Sequence, residues 1–224
     1  MTFDPTRVRA ICFDVDGTLS DTDDEWVAQI EARLAKLKVL FPKSNFRSMA
    51  RWLVMVSESP MNALYHGLDR LSLDDNFARL YEQMMRRRKH PPRPFWIMDG
   101  AKETLEFLVE RFPLSIVSAR DEMTTVRFIE QFSLYDYFHS IVTAQTCEHT
   151  KPYPQPVLWA AEQMQVAPEN CLMVGDTTVD ILAGKAAGAQ TVGVLCGFGT
   201  ERELRKAGAD LILKELRELV QYLS

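Results

Sequence analysis

Apolar and polar positions along this chain fall into two textures that meet near residue 95. At the start, Val8, Ala10, Ile11, Cys12 and Phe13 form a run that reads as a short buried strand, and it stops on Asp14-Val15-Asp16-Gly17-Thr18. Beyond it the acidic stretch Asp21 to Glu25 suits the positive end of a helix dipole, and Trp26, Ile30, Leu34, Leu37 and Leu40 recur at helical spacing. The style continues from Ser44 to about Lys89 through positions such as Trp52, Met55, Leu64, Leu68, Phe77 and Met84, with breaks at Pro42, Pro60 and Gly67. No alternating pattern intervenes. The pattern predicts an all-helical block closed by Pro91, Pro92 and Pro94.

From Phe95 onward helix and strand alternate. Asp99-Gly100 opens a helix to Arg111, and Leu114 to Ser118 reads as a buried strand that ends on a hydroxyl. Glu122 to Gln131 is then helix, Ser140 to Thr143 strand, Gln155 to Met164 helix, Cys171 to Val174 strand, Val179 to Ala187 helix and Thr191 to Leu195 strand. A helix near Glu201 to Lys206, a strand at Asp210 to Leu213 and a last helix complete the chain. Such alternation predicts an α/β fold, a parallel sheet with helices on both faces. Ligands bind such sheets at the carboxyl ends of the strands, where Asp14, Ser118 and Asp176 all fall. The helical block follows the first strand, so residues 1–22 and 95–224 are expected to form the core domain. Residues 23–94 are expected to form an inserted helical cap over the strand ends.

Composition narrows the classes. With 46% hydrophobic residues in 224, the chain can bury a substantial core. No run approaches the roughly 18 apolar residues of a membrane span, and the N-terminus lacks the apolar segment of a secretory signal, so a cytoplasmic protein is expected. Cys12, Cys147, Cys171 and Cys196 are far apart, and the four histidines form no ligand pattern, which disfavours zinc. A net charge of −5 argues against general nucleic-acid binding. Between Asp24 and Arg93, however, 13 Lys and Arg stand against 8 Asp and Glu, leaving 13 against 23 for the remainder. The basic run Arg86-Arg87-Arg88-Lys89 ends that helical block; it is either a solvated helix end or a grip for an anionic substrate.

The polar strand ends carry the chemistry. Asp14 and Asp16 share a strand face only while the backbone stays extended, and Gly17 lets it curl so that N–H groups approach an anion beside the Thr18 hydroxyl. This suits a phosphoryl group next to a divalent cation. Ser118 could donate to a phosphate oxygen or merely cap its turn. Lys151 sits in Lys-Pro-Tyr-Pro-Gln-Pro, where three prolines lower the cost of ordering an amine that must neutralise a transferring phosphoryl group. Asp176, at a strand end, can reach a cation, and Asp180, in the first turn of the following helix, can orient it; the pair could equally serve as a helix cap.

These four stretches resemble, in order, the motifs of the haloacid dehalogenase-like superfamily, and in particular its phosphoglycolate-phosphatase-like branch. Asp14, Asp16, Gly17, Thr18 and Leu19 complete the first motif, Ser118 the second, Lys151-Pro-x-Pro the third, and Asp176 with Asp180 the fourth. The chain departs at Ala119-Arg120, where the family often has Asn after the hydroxyl. The resemblance implies a Rossmann-like core with an inserted helical cap, and a Mg²⁺-dependent phosphatase of a small organic phosphate monoester. Asp14 would attack phosphorus to form an aspartyl-phosphate, and Asp16 would protonate the leaving oxygen and then activate water. Mg²⁺ would be held by Asp14, the Asp16 carbonyl and Asp176, with Asp180 in support. Gly17, Thr18, Ser118 and Lys151 would hold the phosphoryl oxygens. Asp16 disfavours dehalogenation, which needs no acid at that position. A β-phosphoglucomutase-like phosphosugar mutase and a non-catalytic phosphate- or Mg²⁺-binding regulatory module are the alternatives. The expected partner is a small anionic phosphorylated metabolite, with neither nucleic acid nor membrane; oligomeric state is not legible in the pattern.

Overall fold

The computed structural model describes residues 3–21 and 95–224. The chain divides into two units, Met1–Asp23 with Phe95–Ser224, and Asp24–Pro94. The expected helical cap over 23–94, with its basic run Arg86 to Lys89, lies outside the described residues.

The described unit is built on a six-stranded, wholly parallel sheet. Its strands are β1 (Ala10–Phe13), β2 (Leu114–Val117), β3 (Ser140–Val142), β4 (Cys171–Gly175), β5 (Gln190–Val194) and β6 (Leu211–Leu213). The main helices are α1 (Ala101–Val109), α2 (Glu122–Gln131), α3 (Gln155–Gln163), α4 (Thr178–Ala187), α5 (Glu201–Ala207) and α6 (Leu219–Leu223). The alternation read from the sequence is therefore present, with element ends shifted by a residue or two.

Strand residues supply both faces because successive side chains point to opposite sides. Ile11, Phe13, Leu114, Ile116, Leu172 and Val174 join one apolar cluster with Leu105 and Leu108 of α1, Phe128 and Ile129 of α2 and Leu219 of α6. Ala10, Cys12, Val117, Cys171 and Met173 join another with Val157, Ala160 and Ala161 of α3 and Ala183 of α4. Burial on both faces is why these strands read as continuous apolar runs, not as alternating ones. Gly184 lets α4 lie unusually close to the sheet: a Cβ there would stand 2.6 Å from Thr191 Cγ2 and 2.9 Å from Met173 Cβ. The depth of α4 sets how far Asp180, on its first turn, enters the strand-end crevice. None of the described helices is long and apolar enough to cross a membrane.

The strand order is β3-β2-β1-β4-β5-β6. From β1 the chain winds outward through β2 and β3, then returns to the other side of β1 and continues through β4, β5 and β6. At that reversal the connections leave β1 and β4 in opposite directions, and a crevice opens at their carboxyl ends.

Candidate active site

Asp14 follows β1 directly, and its N–H donates to the Val174 carbonyl at 2.9 Å, so the β1–β4 ladder extends one residue further and holds the carboxylate at the crevice. A tight turn comes next. The Val15 carbonyl accepts from the N–H groups of Leu19 at 2.9 Å and Ser20 at 2.7 Å, and Gly17 takes φ +74°. A side chain at Gly17 would place its Cβ 2.4 Å from Asp176 Oδ2. Glycine is thus required twice over, by the positive φ and by the approach of the facing carboxylate.

Asp176, the residue after β4, is fully buried. Its Oδ2 accepts from the Phe198 N–H at 2.7 Å. A Cβ on Gly197 would lie 2.1 Å from that oxygen, and one on Gly199 would lie 2.0 Å from the Asp176 carbonyl oxygen. Gly197-Phe198-Gly199 thus forms a cradle that sequence reasoning passed over. Two glycines placed shortly after the end of a buried strand were the available signal.

Lys151 joins two of the carboxylates. Its Nζ donates to Asp14 Oδ1 at 2.6 Å and to Asp180 Oδ1 at 2.5 Å, and its side chain is 2% exposed. The peptide bond to Pro152 is cis. Asp180 in turn accepts at Oδ2 from the Thr177 N–H at 3.0 Å and the Thr177 hydroxyl at 2.6 Å, completing a capping box at the start of α4. The helix-cap reading and the site reading of Asp180 are therefore both true of one carboxylate: one oxygen caps α4 and the other aims Lys151.

Asp14, Asp176 and Asp180 each present an oxygen within 4.8 Å of the others, and all three are buried. Among the described residues the one ammonium of Lys151 bonds to two of these three carboxylates, and buried negative charge is costly in a dry site. The donor set among the described residues is carboxylate oxygen without sulfur or imidazole, which fits a hard divalent cation such as Mg²⁺. Burial pushes the Asp14 carboxyl up, to about 8; Lys151 opposes the rise, while Asp180 and Asp16 add to it. Burial pushes the Lys151 ammonium down, but Asp14 and Asp180 outweigh it and hold the amine above its ordinary value.

A carboxyl raised from 3.8 to about 8 on folding binds its proton more tightly in the folded state. The stability it lends is full below the unfolded value and is lost as pH rises through the folded one. A cation in the site removes that loss. Mg²⁺ is thus expected to raise the melting midpoint more at pH 8 than at pH 6. At a hundredfold excess over Kd the gain is about 2.7 kcal/mol, or roughly 5–10 °C for a chain of this size. Thermal melts with Mg²⁺ and with EDTA at both pH values check this, and an equal shift at both would contradict the charge assignment at Asp14.

Asp16 lies in the turn and faces Arg120, whose Nε donates to Oδ2 at 3.0 Å while Nη2 contacts Oδ1. Ser118 is buried at the end of β2; its N–H donates to the Val142 carbonyl at 2.9 Å, and its Oγ accepts from the Arg120 N–H at 3.1 Å. Thr18 is fully buried, with its hydroxyl unpaired among the described residues. The eight residues singled out from sequence thus fall into a tight group of Asp14, Gly17, Lys151, Asp176 and Asp180, and a neighbouring set of Asp16, Thr18 and Ser118. Arg120, at the point where the second motif departs from the family pattern, links Asp16 to Ser118.

Residues 11–194 match the family model of the haloacid dehalogenase-like hydrolases. The chain is 26% identical over 221 residues to a phosphoglycolate phosphatase of Pseudomonas putida, covering 97% of this chain and 80% of that one. It is 27% identical over 214 residues to the pyrophosphatase PpaX of Oceanobacillus iheyensis, covering 95% of each. Among solved structures, a Thermotoga maritima protein assigned as a β-phosphoglucomutase superposes with a TM-score of 0.66 at 24% identity, covering 96% of this chain and 98% of that one; at this identity the likeness speaks for the fold alone. A model match spanning most of the chain, on the parallel sheet and buried acidic crevice described above, establishes that this protein belongs to the haloacid dehalogenase-like hydrolases.

Proposed function

We propose that the chain hydrolyses a small organic phosphate monoester through a phosphorylated Asp14. The observation that supports this reading most is the Lys151 ammonium, buried between Asp14 and Asp180 with Asp176 beside them. A lysine so placed can meet the charge of a phosphoryl group while keeping Asp14 aimed, since its other contact, Asp180, is anchored to α4. The relatives named phosphoglycolate phosphatase and pyrophosphatase agree with phosphoryl chemistry on a small molecule.

In the first step an Asp14 carboxylate oxygen bonds to phosphorus as the bond to the leaving oxygen breaks, and Asp16 gives that oxygen a proton. In the second, Asp16 takes a proton from a water that attacks the same phosphorus; the bond to Asp14 breaks and inorganic phosphate leaves. Asp14, Asp176 and the Asp16 carbonyl would hold the Mg²⁺, with Asp180 in support. Bound there, the cation offsets the negative charge of phosphate and carboxylates. Gly17 would offer backbone N–H, and Thr18 and Ser118 hydroxyls, to the phosphoryl oxygens.

Phosphate release from an aryl phosphate and a panel of small phosphometabolites, with Mg²⁺ and with EDTA, tests the reading. Mg²⁺-dependent release of free phosphate is expected. A rearranged phosphosugar without net phosphate release would replace the reading with a mutase. Folded protein that binds Mg²⁺ and turns over nothing would point to a regulatory module.

A further inference from the structure

Arg120 is built into the fold more firmly than a surface arginine. Its backbone N–H is held by Ser118 Oγ at 3.1 Å, and its guanidinium carbon lies 5.0 Å from the Phe95 ring centroid and 5.9 Å from that of Phe128. The side chain is 10% exposed. Nε and Nη2 fork onto the Asp16 carboxylate, while Nη1 is buried with no hydrogen-bond partner among the described residues. A guanidinium carries five N–H donors, and leaving those of one nitrogen unmet in a buried setting is costly. Natural structures rarely keep such a donor without a use for it.

The partner that this guanidinium already holds, Asp16, points to the use. On the proposed reading, Asp16 handles the oxygen that leaves phosphorus, so whatever lies within reach of the Asp16–Arg120 fork lies on the leaving-group side. A planar cation there matches a carboxylate or phosphate, which can accept two parallel N–H bonds. We propose that Arg120 reads a second anionic group on the leaving side of the substrate, and that this chain therefore selects phosphate compounds whose leaving group is itself an anion. The inference rests on the phosphatase reading above. An anionic leaving group takes the Nη1 donors and competes with Asp16 for the fork, turning Asp16 toward the leaving oxygen. A neutral leaving group leaves Nη1 unmet and the fork closed.

The test compares kcat/KM for ethyl phosphate, 2-phosphoglycolate and pyrophosphate in the wild type, Arg120→Gln and Arg120→Lys. The first has a neutral leaving group, the second adds a carboxylate, and the third a second phosphate; whichever anionic compound is preferred identifies the group read. The wild type is expected to favour one of the anionic pair over ethyl phosphate. Arg120→Gln is expected to cut that preference by roughly 10- to 100-fold, the worth of hydrogen bonds to a charged group, and Arg120→Lys to restore part of it. Should the Gln variant fail to fold, the Lys variant alone must show an intermediate loss of preference. Equal losses on ethyl phosphate and the anionic compounds would mean that Arg120 acts only through Asp16, and would overturn the proposal, as would a wild type without preference. A folded wild type that releases phosphate from none of the three would instead overturn the phosphatase reading beneath it.

Discussion

Asp14→Asn is expected to abolish phosphate release, lowering kcat on the order of 10⁶-fold, as loss of a nucleophile does in other covalent enzymes. The amide cannot attack phosphorus, and the two other carboxylates of the acidic cluster are engaged elsewhere. Asp176 is tied to the Phe198 N–H within its glycine cradle, and Asp180 is committed to Thr177 and Lys151. The fold should survive the change. The desolvation that pushes Asp14 up to about 8 falls on its ionised form, and an amide of the same shape avoids it. Lys151 keeps Asp180 as a partner. The variant is thus expected to melt no lower than the wild type in EDTA, and to gain less from Mg²⁺. Single-turnover and steady-state phosphate assays beside thermal melts measure both parts. Residual activity within tenfold of the wild type in a folded variant would remove Asp14 from the nucleophile's role.

Lys151→Met is expected to cost both stability and rate. The ammonium is the one cation that the described residues bring into contact with Asp14 and Asp180, and all three groups are buried. Removing one member of a buried ion pair leaves the other charge uncompensated, at a cost of about 3–5 kcal/mol. Here two carboxylates lose their partner together. The rate is expected to fall a further 10²–10³-fold, on the order of what a preorganised charge contributes at a developing anion. Saturating Mg²⁺ should return part of the lost stability, since either cation relieves the acidic cluster, but on the proposed reading it should not return the rate, because no ammonium would then meet the phosphoryl group. Lys151→Arg should rescue neither, as a planar fork does not fit a site shaped for one nitrogen between Asp14 Oδ1 and Asp180 Oδ1. A Lys151→Met protein that melts with the wild type in EDTA would show that the three groups do not form the ion cluster described here.

Seen against the fold, much was legible in the chain. Apolar runs such as Leu114–Val117 and Cys171–Gly175 announce strands buried on both faces, and the strand-helix alternation announces a parallel sheet. The order of acidic, hydroxyl and amine positions at strand ends then selects one family. Capping chemistry was also visible: the spacing from Thr177 to Asp180 marks the start of α4, and the structure gives that aspartate a second duty toward Lys151.

Contacts between distant segments were not legible. Local periodicity states which face of a strand is apolar, but not which strand lies beside it, because that choice depends on summed packing across the whole sheet. The pairing of β1 with β4 brings Asp14 next to Asp176, although 161 residues separate β1's Ala10 from its partner Cys171 in sequence. The Gly197-Phe198-Gly199 cradle becomes intelligible only once Asp176 is seen to occupy the space that side chains would take. Arg120 was a mismatch to a family pattern until the turn after β1 placed Asp16 within reach of its guanidinium. By itself the sequence determined the elements of the described unit, their order and the chemical types at the strand ends, since these depend on near neighbours along the chain. The tertiary structure alone decided which of those groups meet, because a buried charge takes its partner from whatever the packing of remote segments brings within a few ångströms.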